Sequence, residues 1–476
     1  QETINATIPM EWLPKPKVTA EGFINNILSM YETETPTAKF NFNLSSALQE
    51  LKFTLNFEDE TYQSLNKTYT LSELSEEDKT ALTNAGIVLP VIGSKEASLD
   101  FTGLAAKLAG STTGEVLSNV ITLNEVKANN RTLEGEQVYT IQTSAPEFNL
   151  VVYPGNTWTR QFTANTQITH GNADVIREGM MFEYRTGEVD WISSKDSLIT
   201  GLTPGTNYQV RLKYGKHYKE TNVMTYPIIS LENGGMEHWT KEGPANEDTY
   251  WYIMYPYNNE DEKKYWNTVN LTTTQDGKPR EYGWFGTPSM SPPYTWTTYV
   301  ANSGTISVTD SHSGNAALIR TVGWGSGSTA AGEISDIKHV TPGELYLGTY
   351  DLSSHQPVYG IEYKSRPTNV KFWCKYEPKS SDLMIAQIVI MDENGETIGS
   401  ASIPDNEAGT TDWIEKTLHI TYTDIEKEPV KMYILFKSGS LTDTDVMDKP
   451  SFGNLSDGES VGSKLYIDDI ELIYDK

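Results

Sequence analysis

Val370-Lys371-Phe372-Trp373-Cys374-Lys375-Tyr376 is the stretch from which the fold is read. Side chains in an extended strand point alternately to opposite faces, so Val370, Phe372 and Cys374 share one face while Lys371, Trp373 and Lys375 share the other. Cys374 therefore reads as a core residue rather than a nucleophile. Trp373 is either a wet platform or a contact for a crossing loop. Strand-like segments continue on both sides of this one: Ala316 to Thr321, Leu345 to Leu347, Leu383 to Met391, Lys416 to Tyr422, Lys431 to Lys437 and Lys464 to Tyr474. That many strands predict a two-sheet jelly roll over residues 230–476.

Toward the N-terminus the pattern stays β-rich. Residues 1–35, with Pro14 and Pro16 and no sustained period, read as a tether. Phe40-Asn41-Phe42-Asn43-Leu44 and Leu51-Lys52-Phe53-Thr54-Leu55-Asn56-Phe57 read as a hairpin around a short polar turn. Ser75 through Asp78 opens a short helix that stops at Gly86, and 100–108 suggests another. With strands at 116–123 and 137–142, residues 36–146 read as an immunoglobulin-like β-sandwich decorated by short helices. Residues 147–229 carry Leu202-Thr-Pro204-Gly205-Thr-Asn-Tyr208-Gln-Val210-Arg-Leu212-Lys-Tyr214. In this run Pro204-Gly205 makes a corner, Tyr208 returns its hydroxyl to the corner backbone, and Val210, Leu212 and Tyr214 line a core. The spacing resembles the penultimate strand of a fibronectin type III domain, which implies a spacer in which Trp158 and Trp191 pack. The expected fold is thus all-β: two N-terminal immunoglobulin/fibronectin-like sandwiches followed by a larger jelly roll.

Composition narrows the partners. Lys and Arg number 37 against 64 Asp and Glu, a formal charge of −27, which repels phosphate backbones and anionic headgroups and argues against nucleic acid. The single cysteine rules out an intramolecular disulfide framework or a CxxC metal site. There is no apolar run long enough to span a bilayer and no secretory apolar segment at Gln1, so the β architecture suggests a trimmed, exported protein. Sequons such as that at Asn66 carry little weight in a chain this rich in Ser, Thr and Asn.

Three short motifs frame the third domain: Asn233-Gly-Gly-Met236-Glu237-His-Trp239, Asp310-Ser-His-Ser-Gly314-Asn, and Tyr466-Ile-Asp468-Asp469-Ile. Together they resemble carbohydrate-binding modules of the calcium-containing jelly-roll type. That resemblance implies a structural Ca²⁺ held by Glu237, Asp468 and backbone carbonyls of the 311–314 turn, with Met236 departing from the aromatic residue usual there. Without an ion, the two carboxylates would satisfy backbone donors at the sheet edge. A longer series, Tyr265-Trp266-Asn267-Thr268-x-Asn270, Gly343-Glu-Leu-Tyr-Leu-Gly348-Thr-Tyr350-Asp351, Gly360-Ile-Glu-Tyr-x-x-Arg366-Pro367, Lys375-Tyr376-x-Pro378, Asp382 and Leu465-Tyr-Ile-Asp468-Asp469, is similar to the carbohydrate metabolism domain of Bacteroides-type surface lipoproteins. This implies display at the cell surface or outer membrane, with the membrane reached only through a lipid anchor, and a role in polysaccharide utilisation.

Sugar rings offer an apolar C–H face with a polar rim, so recognition needs an exposed flat aromatic beside hydrogen-bonding groups. The Trp- and Tyr-rich stretch 250–299, with little periodicity, supplies Trp251, Tyr255, Trp266, Trp284, Trp296 and Tyr299. Trp324 and Trp373 join them, with Asn267 and Arg366 as polar partners. A glycoside hydrolase is the alternative, and Glu344, Asp351 and Glu362 are its nearest candidate carboxylates. A third reading takes the N-terminal sandwiches as an adhesion or scaffold element. Glycan binding without catalysis is the expected function, and oligomeric state is left open.

Overall fold

The computed structural model describes residues 12–31, 33–109, 116–215, 217–243, 252–261, 263–274, 282–285, 294–299, 303–330, 333–334, 339–404, 409–443, 447 and 460–476. It is all-β apart from short helices, and it divides into two compact units. One holds the described residues up to Val151 with 165–197 and 209–222; the other holds 152–164, 198–208 and 223–476. Residues 147–229 contribute to both.

In the first unit, strands Lys17–Glu21, Lys39–Asn43 and Ala97–Asp100 form one sheet, and Ile27–Tyr31, Gln137–Ser144, Leu117–Ala128, Leu48–Phe57 and Thr68–Thr70 form another. Phe40, Phe53, Phe57, Phe101, Ile121 and Ile141 are buried together in its core. Two expectations are corrected. Lys17–Glu21 and Ile27–Tyr31 are strands of this sandwich rather than tether, and Leu28 and Met30 turn inward. The runs at 40–44 and 51–57 do not pair as a hairpin. Lys39–Asn43 pairs with Lys17–Glu21 while Leu48–Phe57 pairs with Leu117–Ala128, so the turn between them crosses from sheet to sheet and both apolar faces reach the core. The helix is where its signals put it: Glu76–Ala85, with Ser75 Oγ accepting the Asp78 N–H and Gly86 closing it at φ 94°. A second helix, Thr102–Ala109, follows. On a further sheet of this unit, Val210 and Leu212 are buried, whereas Trp191 is half-buried between the guanidinium groups of Arg185 and Arg211.

The second unit is a sandwich of two sheets. Strands Tyr282–Phe285, Tyr294–Tyr299, Ala316–Ala330, Ser460–Ile473, Asn369–Glu377 and Thr410–His419 run across the first. Trp266–Thr268, Glu344–Asp351, Lys431–Lys437, Ile385–Met391, Thr397–Ser402 and Thr421–Tyr422 run across the second. Trp266, Phe372, Cys374, Ile388, Phe436 and Ile467 are buried in the core these sheets enclose. Strands Ile253–Tyr255, Trp266–Thr268, Tyr282–Phe285 and Tyr294–Tyr299 lie within 250–299, so this stretch is partly sheet despite its weak periodicity. The corner read at Pro204-Gly205 is present, with Tyr208 Oη accepting the Thr203 N–H at 3.0 Å. Among the described residues no helix is long and apolar enough to cross a membrane.

Candidate functional site

The outer face of the first sheet concentrates the chemistry. Strand Asn369–Glu377 buries Val370, Phe372 and Cys374 and turns Lys371 and Trp373 outward, as strict alternation requires. Its neighbour Ser460–Ile473 breaks that alternation. Trp373 pairs with Asp468 and Lys371 with Glu471, so one strand carries an extra residue between the two pairs. Asp469 takes up the bulge at φ 46°, a left-handed conformation that Asp tolerates. With Ile467 and Ile470 both turned into the core, the two successive acids between them, Asp468 and Asp469, reach the 310–315 turn together.

They hold that turn in different ways. Asp468 is fully buried, and its Oδ2 accepts the N–H groups of His312 and Ser313, each at 2.9 Å, while Oδ1 accepts its own neighbour's N–H. Burial raises its pKa above the usual carboxylate range despite those bonds. Asp469 Oδ2 meets His312 Nδ1 at 2.7 Å. Glu237 grips the far end, accepting from the Asn315 N–H at 3.1 Å and its side-chain amide at 3.0 Å. Gly314 makes this grip possible. It sits at φ 60°, and a Cβ there would lie 2.0 Å from Glu237 Oε1.

Anchored like this, the turn reaches over the aromatic face. The His312 ring stacks on the Trp373 indole at 3.8 Å between centroids and 10° between planes. Trp373 is therefore a contact for a crossing turn on one side. It also lines an open hollow of about 380 Å³ with Gly235, Lys371, Asp469, Ile470 and Glu471. Lys371 is held 3.5 Å from both Glu415 and Glu471, and Glu415 is the first cause of the raised pKa of its ammonium. One step along the face, Asp310 pairs with Lys375 and accepts the Trp413 indole N–H at 3.3 Å; the bond to Lys375 is the main cause that lowers its pKa. The Lys375 ammonium lies 4.0 Å over the Tyr466 ring, which Trp413 meets edge-on at 6.2 Å.

The other expected ligand-binding residues are dispersed. Trp266 is a core residue, 1% exposed, whose indole N–H donates to the Glu232 carbonyl, so neither ring face is open to a sugar. Trp324 is also buried, stacked on His339 with its N–H on Thr341. Arg366 is 2% exposed, clamped between Trp158 and Tyr422 at 4.3 and 4.1 Å, with one N–H on the Pro154 carbonyl. It braces the fold instead of facing ligand. Asn267 is half-buried on the second sheet, opposite Tyr346. Tyr255 stacks on Tyr257 at 5.4 Å. Trp284, Trp296 and Tyr299 fall on strands, but their side chains lie outside the described residues, as does Trp251 altogether.

The candidate acids are each engaged locally. Glu344 is buried against Lys437 at 3.0 Å and accepts the Tyr359 hydroxyl at 2.7 Å. Asp351 caps the next turn through Ser354 and Ser353, and those bonds hold its pKa down to about 2, the wrong direction for a general acid. Glu362 is exposed beside Lys364 at 3.3 Å.

For calcium, the donor set at Glu237 and Asp468 is oxygen-only, as a hard cation demands. As placed, however, each of their carboxylate oxygens already accepts an N–H, and among the described residues no three His, Cys, Asp or Glu side chains gather to hold an ion. These carboxylates act here as anchors of backbone donors. Sequence reading passed over His312 as a stacking partner and Trp413 altogether. The alternation of Trp413 and Glu415 on a strand that starts at Thr410 was the available signal for Trp413.

No family profile matches the chain, and no curated protein matches it. Among solved structures it is similar to carbohydrate-binding modules from the β-sandwich superfamily at 11% identity and TM-score 0.21, covering 69% of this chain and 98% of that one. The family 11 carbohydrate-binding module of a Clostridium thermocellum cellulosomal cellulase follows at 12% and 0.18, covering 41% and 96%. The VP2 subviral particle of infectious bursal disease virus also matches, at 9% and 0.16, covering 98% and 83%. At these scores the likeness carries no functional argument.

Proposed function

We propose that this chain is a cell-surface glycan-binding protein whose C-terminal sandwich takes a polysaccharide on the outer face of its first sheet, with Trp373 as the stacking platform. One observation carries the reading: a half-buried indole, held flat by His312, forms a wall of an open hollow whose lining also includes Lys371, Asp469 and Glu471. A flat apolar surface beside charged hydrogen-bonding groups is what a pyranose ring with its hydroxyl rim requires. Clamping the indole in advance lowers the ordering cost of binding.

Calorimetry against a panel of plant, fungal and host polysaccharides tests the reading. If a sugar covers about 40 Å² of the ring on the side that His312 leaves open, stacking is worth about 1 kcal/mol. Trp373→Ala should then weaken binding about 5-fold, whereas Trp324→Phe, at a buried position, should leave it unchanged. Unaltered affinity in Trp373→Ala would remove the platform from the assignment. Display through a lipid anchor rests on the sequence resemblance. It is tested by whether the full gene product is labelled from outside on intact cells and carries a fatty acyl chain.

A further inference from the structure

Resting on that glycan-binding reading, we infer that the Trp373 hollow selects polysaccharides without carboxylate or sulfate groups, and that it recognises them chiefly as hydroxyl donors. The charges around the hollow point this way. Asp469 and Glu471 line it directly, and Glu415 stands across Lys371 from Glu471. Behind it are Glu237 and the fully buried Asp468, each bonded to N–H groups of the 310–315 turn and, among the described residues, with no cation in contact. A Cβ on Gly235, in the hollow's lining, would lie 3.6 Å from Asp469 Oδ1 and 4.0 Å from Glu237 Cγ, so these acids border the same space. Asp469 and Glu471 thus line the hollow with Glu415, Glu237 and Asp468 close by, against Lys371 and His312, while Lys375, one step along the face, is paired with Asp310.

Each basic group is already paired with an acid. Lys371 lies between two glutamates, and His312 is committed to Asp469 on one edge and to Trp373 on its face. A uronate or sulfate brought against Trp373 would face a negative surround with no unpaired cation among the described residues to neutralise it. The chain's net charge of −27 adds long-range repulsion of the same sign. Carboxylates can only accept hydrogen bonds, so Asp469 and Glu471 match a ligand that presents hydroxyl or ammonium donors.

The experiment compares matched oligosaccharides on the intact protein by calorimetry at low salt and at about 0.5 M salt. Neutral gluco-, manno- and xylo-oligosaccharides form one arm, oligogalacturonate and a sulfated galactan the second, and glucosamine oligomers the third. Neutral or amino-sugar ligands should bind at least about tenfold more tightly than the anionic arm at low salt, and the gap should narrow at high salt. Glu471→Gln and Glu415→Gln, checked for folding by circular dichroism, should each raise the anionic-to-neutral affinity ratio. Anionic ligands that bind as tightly as neutral ones, with binding still weakened in Trp373→Ala, would overturn this selectivity while leaving the glycan-binding reading intact. Silence from all three arms would overturn both.

Discussion

Replacing Asp468 tests the central anchor of the site. Asp468→Ala strips the acceptor from the N–H groups of His312 and Ser313 and from that of Asp469. An orphaned buried donor costs about 1–3 kcal/mol. The turn is only partly buried, so the lower end applies to each of its two donors. Removing a buried carboxylate whose pKa is raised by desolvation returns part of that cost. The net loss is about 1–2 kcal/mol, a fall of roughly 2–8 °C in the melting temperature of a domain this size. Asp468→Asn keeps one carbonyl acceptor and sheds the buried charge, so it should lose less than about 1 kcal/mol. Thermal unfolding followed by circular dichroism gives the stabilities, and tryptophan fluorescence reports whether His312 has left Trp373. If Asp468→Ala melts with the wild type, the carboxylate does not anchor the turn. If Asn is as damaging as Ala, the charge itself matters and an ion rather than N–H groups is its partner.

Three further outcomes follow from the same geometry. The folded form holds the Asp468 proton more tightly than the unfolded chain, so its contribution is complete below the ordinary aspartate range and is lost as pH rises through the raised folded value. Wild-type stability measured against Asp468→Asn should therefore decline with pH across that window; a flat difference would contradict the burial argument. Gly314→Ala should cost about 2–3 kcal/mol, combining left-handed backbone strain with displacement of the Glu237 carboxylate, and should free Asn315; chemical denaturation measures it. Chelation with EDTA should leave the melting temperature within about 1 °C, because backbone donors already occupy the carboxylates, whereas an ion present at a hundredfold its dissociation constant would contribute about 2.7 kcal/mol. A fall of several degrees that Ca²⁺ restores would show that Glu237, Asp468 and the turn carbonyls hold a metal.

What could be read from the sequence was local and periodic. The two faces of Asn369–Glu377, the Ser75 cap and Gly86 stop of the first helix, and the Tyr208 corner each depend on spacing within a few residues, and each is present in the structure. Residues 17–31 misled because their strand Lys17–Glu21 buries no side chain completely and so shows little apolar contrast. The expected hairpin failed because alternation does not say which sheet a strand joins. Aromatic richness likewise does not reveal exposure. Trp266 and Trp373 look equivalent in sequence, yet one lies opposite Leu347 inside the sandwich and the other faces out. The His312 stack depends on a bulge at Asp469, and a one-residue register shift between distant segments leaves no mark on local periodicity.

The placement of Ser460–Ile473 also fixes an order of events. This strand lies between Ala316–Ala330 and Asn369–Glu377, both of which leave the ribosome before it. Until it arrives the two cannot be bridged, and each exposes an open edge ready to pair with other chains. Asp468 and Asp469 arrive with it, so the aromatic face is assembled last, in the step that seals the sheet.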